Sequence, residues 1–187
     1  MNLRPVLLLP ITVLMAACAS TPAPKPVVPV LAETGTVARA EAALAPASAT
    51  LTSGRLVLLG AEGGVRITGM LGGLRPATPV AFHIHETGDC SAVDASSAGP
   101  HFNPLGQAHG GPSLAVRHLG DMDNLLPGAD GRATVDVIAR GVVLGGAAAN
   151  DILGRALVVH AQADDHHSQP AGNAGARIAC GVIRPVP

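Results

Sequence analysis

The sequence is poor in the side chains that protein interfaces favour. It contains no tryptophan, no tyrosine and two phenylalanines, Phe82 and Phe102, and only 13% of its residues are charged. Its core must therefore be built from aliphatic residues, which the hydrophobic content of 48% can supply. Because interfaces are enriched in aromatic side chains, the sequence leaves the choice between a monomer and a homodimer undecided.

Basic residues are also scarce. The 12 basic residues comprise one lysine, Lys25, and scattered arginines, and the net charge is −1. No basic stripe exists for a phosphate backbone to follow, so nucleic-acid binding is excluded. Recurring runs of valine, isoleucine and leucine argue against disorder, and 23 glycines and 16 prolines predict many turns rather than a helical bundle.

The first 17 residues are typical of an export signal. Arg4 supplies the positive start, residues 6–15 are mostly apolar, and small residues precede Cys18. An apolar run of about ten residues is too short for a membrane span, which needs about 20. The region around Cys18 resembles a bacterial lipobox, which predicts cleavage before Cys18 and lipidation of its thiol. The alternative is ordinary cleavage, with Cys18 free or removed.

A proline-rich segment follows Cys18. Four prolines lie within residues 21–29, a composition that favours extended chain and forms no core. We therefore predict a lipidated cysteine and tether over residues 18–34 and a folded domain over residues 35–187. The lipid would be the only membrane contact. Because no aspartate follows Cys18, a Gram-negative host is expected to sort the protein to the outer membrane, facing the periplasm.

Short apolar runs separated by turn residues predict strands from residue 37 onward. The candidates are residues 37–45, 51–60, 65–74, 80–86, 132–138, 154–161 and 177–182. This pattern predicts an antiparallel all-β sandwich or flattened barrel. Two long loops without this pattern are predicted at residues 87–131 and 162–175. Such loops in compact domains usually carry function.

All eight histidines lie in these loops or at the strand ends beside them. In a strand, His83 and His85 share one face while Ile84 takes the other, an arrangement that favours metal chelation. The same pattern also arises from two solvated surface residues. His160 ends an apolar run and could add a third nitrogen from a neighbouring strand, although a histidine at such a rim is often satisfied by water.

The long loop adds a second set of ligands. Three imidazoles and a carboxylate match a closed tetrahedral zinc site: His101, His109, His118 and Asp121. Four nitrogens, from His83, His85, His160 and one shared histidine, suit Cu(II). The sequence therefore predicts two metals. For Cys90 and Cys180, export favours a disulfide, with two buried free thiols as the alternative.

Five stretches together resemble the bacterial copper-zinc superoxide dismutases. They are residues 82–90, 97–104, 118–121, 157–160 and 172–181, and the resemblance covers roughly residues 37–184. It implies a Greek-key antiparallel β-sandwich or flattened eight-stranded barrel with two functional loops. It also implies one copper and one zinc per chain, and superoxide as the substrate.

The resemblance also implies individual roles. The implied copper ligands are His83, His85, His101 and His160. The implied zinc ligands are His101, His109, His118 and Asp121, so that His101 bridges the two metals. Asp164 would hydrogen-bond ligands of both metals, Cys90 and Cys180 would form a disulfide, and Arg177 would receive the anion. The alternative for Arg177 is a surface ion pair with a loop acid.

The loop around Asp164 departs from lysine-rich relatives. Residues 164–169 contain no lysine, so attraction of an anion would depend on Arg177 and the metal charges. His166 and His167 are expected to be solvated. A rival hypothesis is a copper-binding module without turnover; a zinc-bridged histidine and an anion-receiving arginine favour the enzyme.

Overall fold

The computed structural model describes residues 28–186, and eight β-strands form its framework. The predicted export signal, Cys18 and the first part of the predicted tether lie outside the described residues. The strands are β1 (Arg39–Pro46), β2 (Ser53–Ala61), β3 (Gly64–Gly72), β4 (Phe82–His85), β5 (Ala133–Arg140), β6 (Ala156–His160), β7 (Arg177–Val182) and β8 (Arg184–Pro185). The predicted all-β class is confirmed.

Strand β1 joins the two halves of the curled sheet. The strand order is β4-β6-β7-β1-β2-β3-β5, with β8 paired to β1. Most of β1 pairs with β2, whereas its end, Ala45 and Pro46, pairs with β7. All pairs between these strands are antiparallel.

In β2 and β3, buried residues alternate with more exposed ones. In β2, Leu56 and Leu58 are fully buried, and they lie close to Val65 and Ile67 of β3 in one aliphatic core. A two-residue turn joins these strands, because Ala61 pairs with Gly64. Gly63 adopts a φ of 73° there, a left-handed conformation that glycine adopts without strain.

Strands β4 and β6 are buried on both faces. One face of β4 contributes Phe82 and Ile84 to the core, while the other presents His83 and His85 beneath the long loops. Every residue of β6 is also buried, including His160 at its end. The loops therefore form a second layer that encloses these histidines.

The chain contacts the barrel before residue 35, where the predicted domain begins. Ala149 N donates to Val30 O at 3.1 Å, and Ala32 exchanges two hydrogen bonds with the side-chain amide of Asn150, at 2.9 and 2.8 Å. The buried Asn150 thus holds the end of the proline-rich segment. Within residues 28–186, no helix is long and apolar enough to cross a membrane.

Cys90 and Cys180 form a disulfide, as predicted. It connects the first long loop with β7 across a sequence separation of 90 residues. Cys180 is 3% exposed and packs in a small apolar cluster with Ala95 and Ala98. The bond therefore fastens the start of the loop to the sheet.

Replacing both cysteines with serine should destabilise the chain. A crosslink that closes a loop of about 90 residues stabilises a fold by about 4 kcal/mol through chain entropy. We expect urea denaturation of the metal-free Cys90→Ser, Cys180→Ser variant to show a loss approaching that size. A variant with an unchanged unfolding midpoint would contradict this assignment of stability to the crosslink.

Candidate metal centre

The edge of β4 that is not paired with β6 forms hydrogen bonds with two loop segments of the site. Ile84 donates to Gly120 O at 3.0 Å and accepts from Phe102 N at 2.8 Å, and Gly120 N donates to Phe102 O at 2.9 Å. A Cβ on Gly120 would lie 2.2 Å from Ile84 O, so glycine is required for this approach. These bonds place His101 and Asp121 beside the histidines of β4.

Four buried histidines form the first ligand group. They are His83, His85, His101 and His160, with ligand atoms within 4.8 Å of one another and exposures of 4% or less. In two of them a backbone carbonyl holds Nδ1: Gly99 O lies 2.8 Å from His85 Nδ1, and Gly175 O lies 3.3 Å from His160 Nδ1. Their Nε2 atoms face each other at 3.2 Å.

The other two histidines of this group are held by carboxylates. Asp164 Oδ2 lies 2.9 Å from His83 Nε2, and Asp121 Oδ1 lies 2.9 Å from His101 Nδ1. The opposite atoms, His83 Nδ1 and His101 Nε2, are buried with no hydrogen-bond partner in the described chain. Burial of an unpaired polar nitrogen is costly, so the group fits a cation bound by four imidazoles.

The second ligand group surrounds Asp121. Its Oδ1 lies 2.9, 3.0 and 3.3 Å from the Nδ1 atoms of His101, His109 and His118. Its Oδ2 accepts from the backbone amides of Gly110 at 3.1 Å and His118 at 2.8 Å, which fixes the carboxylate. Three nitrogens and one oxygen, all buried, fit a tetrahedral zinc site.

Two residues connect the groups. His101 directs Nδ1 to the second group and Nε2 to the first. Asp164 contacts one member of each, with Oδ2 at His83 Nε2 and Oδ1 at His109 Nε2, both at 2.9 Å. Since outer hydrogen bonds orient the rings of metal ligands, Asp164 couples the orientation of the two sets.

In three members of the first group, the electrostatics favour the neutral imidazole. Burial, and then neighbouring histidines, lower the pKa of His160 to about 3 and that of His85 well below its usual value. Burial also lowers the pKa of His101 to about 4, outweighing its hydrogen bond to Asp121. A neutral ring offers the lone pair that a metal requires.

The carboxylates of the site remain ionised and attract positive charge. Burial opposes ionisation of Asp121 and Asp164, but their histidine contacts outweigh it and hold both pKa values well below the usual range. Burial likewise disfavours charge on His109, yet the two carboxylates raise its pKa to about 9. In the metal-free chain, protonated His109 thus places a positive charge beside the two carboxylates. A bound divalent ion would take over that role.

Arg177 lies at the mouth of the first group. Its guanidinium donates to Ala95 O and Gly99 O, both at 2.6 Å, and Gly99 O also contacts His85 Nδ1. Within the described chain no carboxylate forms an ion pair with Arg177, so the surface ion pair is not observed. A cavity of about 740 Å³ opens beside Arg177 and is lined by His85, His101 and His160.

The structure brings together every predicted ligand of both groups, with Asp164 between them and Arg177 beside the cavity. The side chain of His167 is 80% exposed, whereas that of His166 is 36% exposed and approaches Asp164 Oδ2 at 3.5 Å.

Sequence reasoning missed Asn124, whose amide exchanges two hydrogen bonds with the backbone of Asp164, at 2.8 and 2.9 Å. It also missed the carbonyls that hold His85 and His160. The carbonyls carry no sequence signal, because backbone groups are common to all residues.

Comparisons with known proteins agree with this geometry. Residues 52–183 match the family described as copper/zinc superoxide dismutase (SODC). The extracellular superoxide dismutase [Cu-Zn] of Brugia pahangi is 44% identical over 126 residues, covering 63% of this chain and 61% of that relative. The chain therefore matches less than two thirds of the relative's length.

Two similar solved structures support the fold. A SOD-like protein from Bacillus subtilis superposes with a TM-score of 0.69 at 36% identity, covering 75% of this chain and 95% of its own. The clock protein EA4 gives a TM-score of 0.71 at 36% identity, covering 81% and 96%. The predicted Greek-key barrel is confirmed by this likeness.

Replacement of His101 tests whether its ring is a ligand in both groups. Because His101 contributes to both groups, His101→Ala should weaken binding of the ion in each group by at least about tenfold. The exposed His167→Ala serves as the control and should leave both affinities unchanged. Titration with zinc alone and copper alone measures this; a loss confined to one ion would refute a shared ligand.

Proposed function

The chain belongs to the copper/zinc superoxide dismutase family, and we propose that it converts two superoxide anions and two protons into one oxygen and one hydrogen peroxide. The observation that carries this proposal is the shared ring of His101, which directs one nitrogen into each buried ligand group. A module that only carried copper would need no second group and no shared ring.

The two groups have distinct assignments. We assign one copper to His83, His85, His101 and His160, and one zinc to His101, His109, His118 and Asp121. Copper would supply the redox chemistry, accepting an electron from one superoxide and returning it to a second, which redox-silent zinc cannot do.

His101 is assigned a role in proton delivery. Its Nδ1 is fixed on the side of Asp121, whereas Nε2 faces the first group and is free of hydrogen bonds within residues 28–186. When Nε2 is not serving as a copper ligand, it is therefore the atom that could hold a proton and deliver it to the departing peroxide. The fixed side of the ring keeps this atom in place.

Arg177 is assigned to binding and orienting the anion. It is the one lysine or arginine among the described residues that line the cavity, which Glu86 also lines. Two backbone carbonyls hold its guanidinium, so the positive charge is preorganised at the entrance to the copper group. Attraction of superoxide then depends mainly on one side chain and on the bound metals.

Charge reversal at Arg177 tests this role together with the activity. The chain loaded with one copper and one zinc should consume superoxide rapidly. Arg177→Glu should retain both metals while its rate falls by at least about tenfold and the decline of rate with added salt is lost or reversed. Pulsed generation of superoxide at several ionic strengths measures both quantities.

The matched control for this experiment is Arg184→Glu, which changes the same charge on exposed β8. Its rate and salt dependence should stay close to those of the wild type. A wild-type chain that binds copper without turnover would overturn the enzymatic proposal in favour of a copper-binding module. Loss of metals from Arg177→Glu would make Arg177 structural instead.

We further propose that the protein is an exported bacterial lipoprotein that protects the cell envelope. The disulfide supports an oxidising compartment, and the Brugia pahangi relative is named as extracellular. Lipid on Cys18 would anchor the domain through the proline-rich tether, and more than one acyl chain gives stable anchoring. The outer membrane is the proposed location in a Gram-negative host.

Substitution of Cys18 tests the location separately. In a Gram-negative host the wild-type protein should fractionate with detergent-extractable membranes. Cys18→Ser should release or mislocalise it while activity per molecule stays unchanged, because Cys18 precedes the proline-rich tether and belongs to neither ligand group. Wild-type protein found wholly in the soluble periplasmic fraction would refute lipidation and leave the dismutase proposal intact.

A further inference from the structure

The side chain of Gln169 holds the backbone of His109 from the opposite loop. Gln169 Oε1 accepts from His109 N at 2.8 Å, and Gln169 Nε2 donates to His109 O at 2.9 Å. Gln169 lies in loop 162–175, whereas His109 belongs to loop 87–131, 60 residues earlier. One side-chain amide thus satisfies both backbone groups of a single zinc-group residue.

The same loop also holds the ring of His109. Asp164 Oδ1 lies 2.9 Å from His109 Nε2, while Nδ1 points to Asp121 Oδ1 at 3.0 Å. Gly172 closes over this contact, since a Cβ there would lie 1.7 Å from Asp164 Oδ1 and 2.8 Å from His109 Nε2. His109 is therefore fixed at its backbone by Gln169 and at its ring by Asp164.

These contacts matter because a zinc site tolerates little displacement. Zinc–nitrogen bonds measure about 2.0 to 2.1 Å, and the first long loop provides no strand at His109 to fix its backbone. His109 is also absent from the copper group. A residue that acts through His109 should consequently affect one metal and spare the other.

We propose that Gln169 is a positioning residue that sets His109 for zinc binding. This inference rests on the zinc assignment of the proposed function and adds a residue from the second loop to it. Gln169 itself is exposed, so its truncation opens no core cavity. Water can replace its hydrogen bonds to His109 but cannot hold the backbone in one position.

Zinc affinity of the metal-free chain provides the test. Gln169→Ala should weaken zinc binding about tenfold, in the range found for groups that orient metal ligands. Copper affinity and the melting temperature of the metal-free chain should change little. Zinc alone, titrated against a competing chelator, is the probe, so the result is independent of dismutase activity.

Two further variants complete the experiment. Gln169→Met keeps the length of the side chain without its polar atoms, should match the alanine variant, and keeps the test available if that variant does not fold. Gln107→Ala removes an exposed glutamine from the loop that carries His109 and should bind zinc like the wild type.

The possible failures are distinguishable. Unchanged zinc affinity in both Gln169 variants, with wild-type zinc binding intact, would overturn this proposal alone. Parallel losses of zinc affinity, copper affinity and melting temperature would also overturn it, because they indicate a general structural role. A wild-type chain that binds no zinc would overturn the zinc assignment, and this inference with it.

Discussion

The sharing of one buried imidazole, His101, between two ligand groups is the constraint on which the rest of the site depends. A ring can serve two cations only if both nitrogens are free of other protein bonds when metals are present and if its plane is fixed. The edge of β4 fixes its backbone through Phe102 and Gly120. Asp121 then orients the ring of His101 itself, and Asp164 orients one neighbouring histidine in each group.

The electrostatics link metal binding to the order of both loops. Asp121 and Asp164 stay ionised although they are buried, and in the metal-free chain the protonated ring of His109 donates one N–H to each of them. A divalent ion would displace that proton and satisfy the same carboxylates more fully. Because binding to the folded state stabilises it, metals should stabilise the two loops that carry these ligands.

The sequence predicted those features that have a periodic or chemical signature. Short apolar runs separated by turn residues identified β2 and β3, and the spacing of His83 and His85 placed two rings on one face. Strand β8 was missed because two residues cannot show alternation. The contacts of Val30 and Ala32 with the barrel were also missed, since a proline-rich composition gives no sign of docking at Asn150.

The metal-ligand residues could be predicted from the sequence, whereas the groups that hold them in place could not. The density of histidines, together with Asp121, indicated two metal sites, and the family resemblance identified His101 as the shared ligand. The supports use ordinary groups: the carbonyls of Gly99 and Gly175 and the amides of Asn124 and Gln169. Such contacts depend on how two loops meet in space, which local sequence does not encode.

The most direct test of the two-metal centre is anomalous X-ray diffraction from crystals of the chain loaded with copper and zinc. Data collected above and below each absorption edge identify each ion by element. We expect copper among His83, His85 and His160, zinc among His109, His118 and Asp121, and His101 in contact with both. A single ion, exchanged positions, or a His101 ring that contacts only one metal would contradict this assignment.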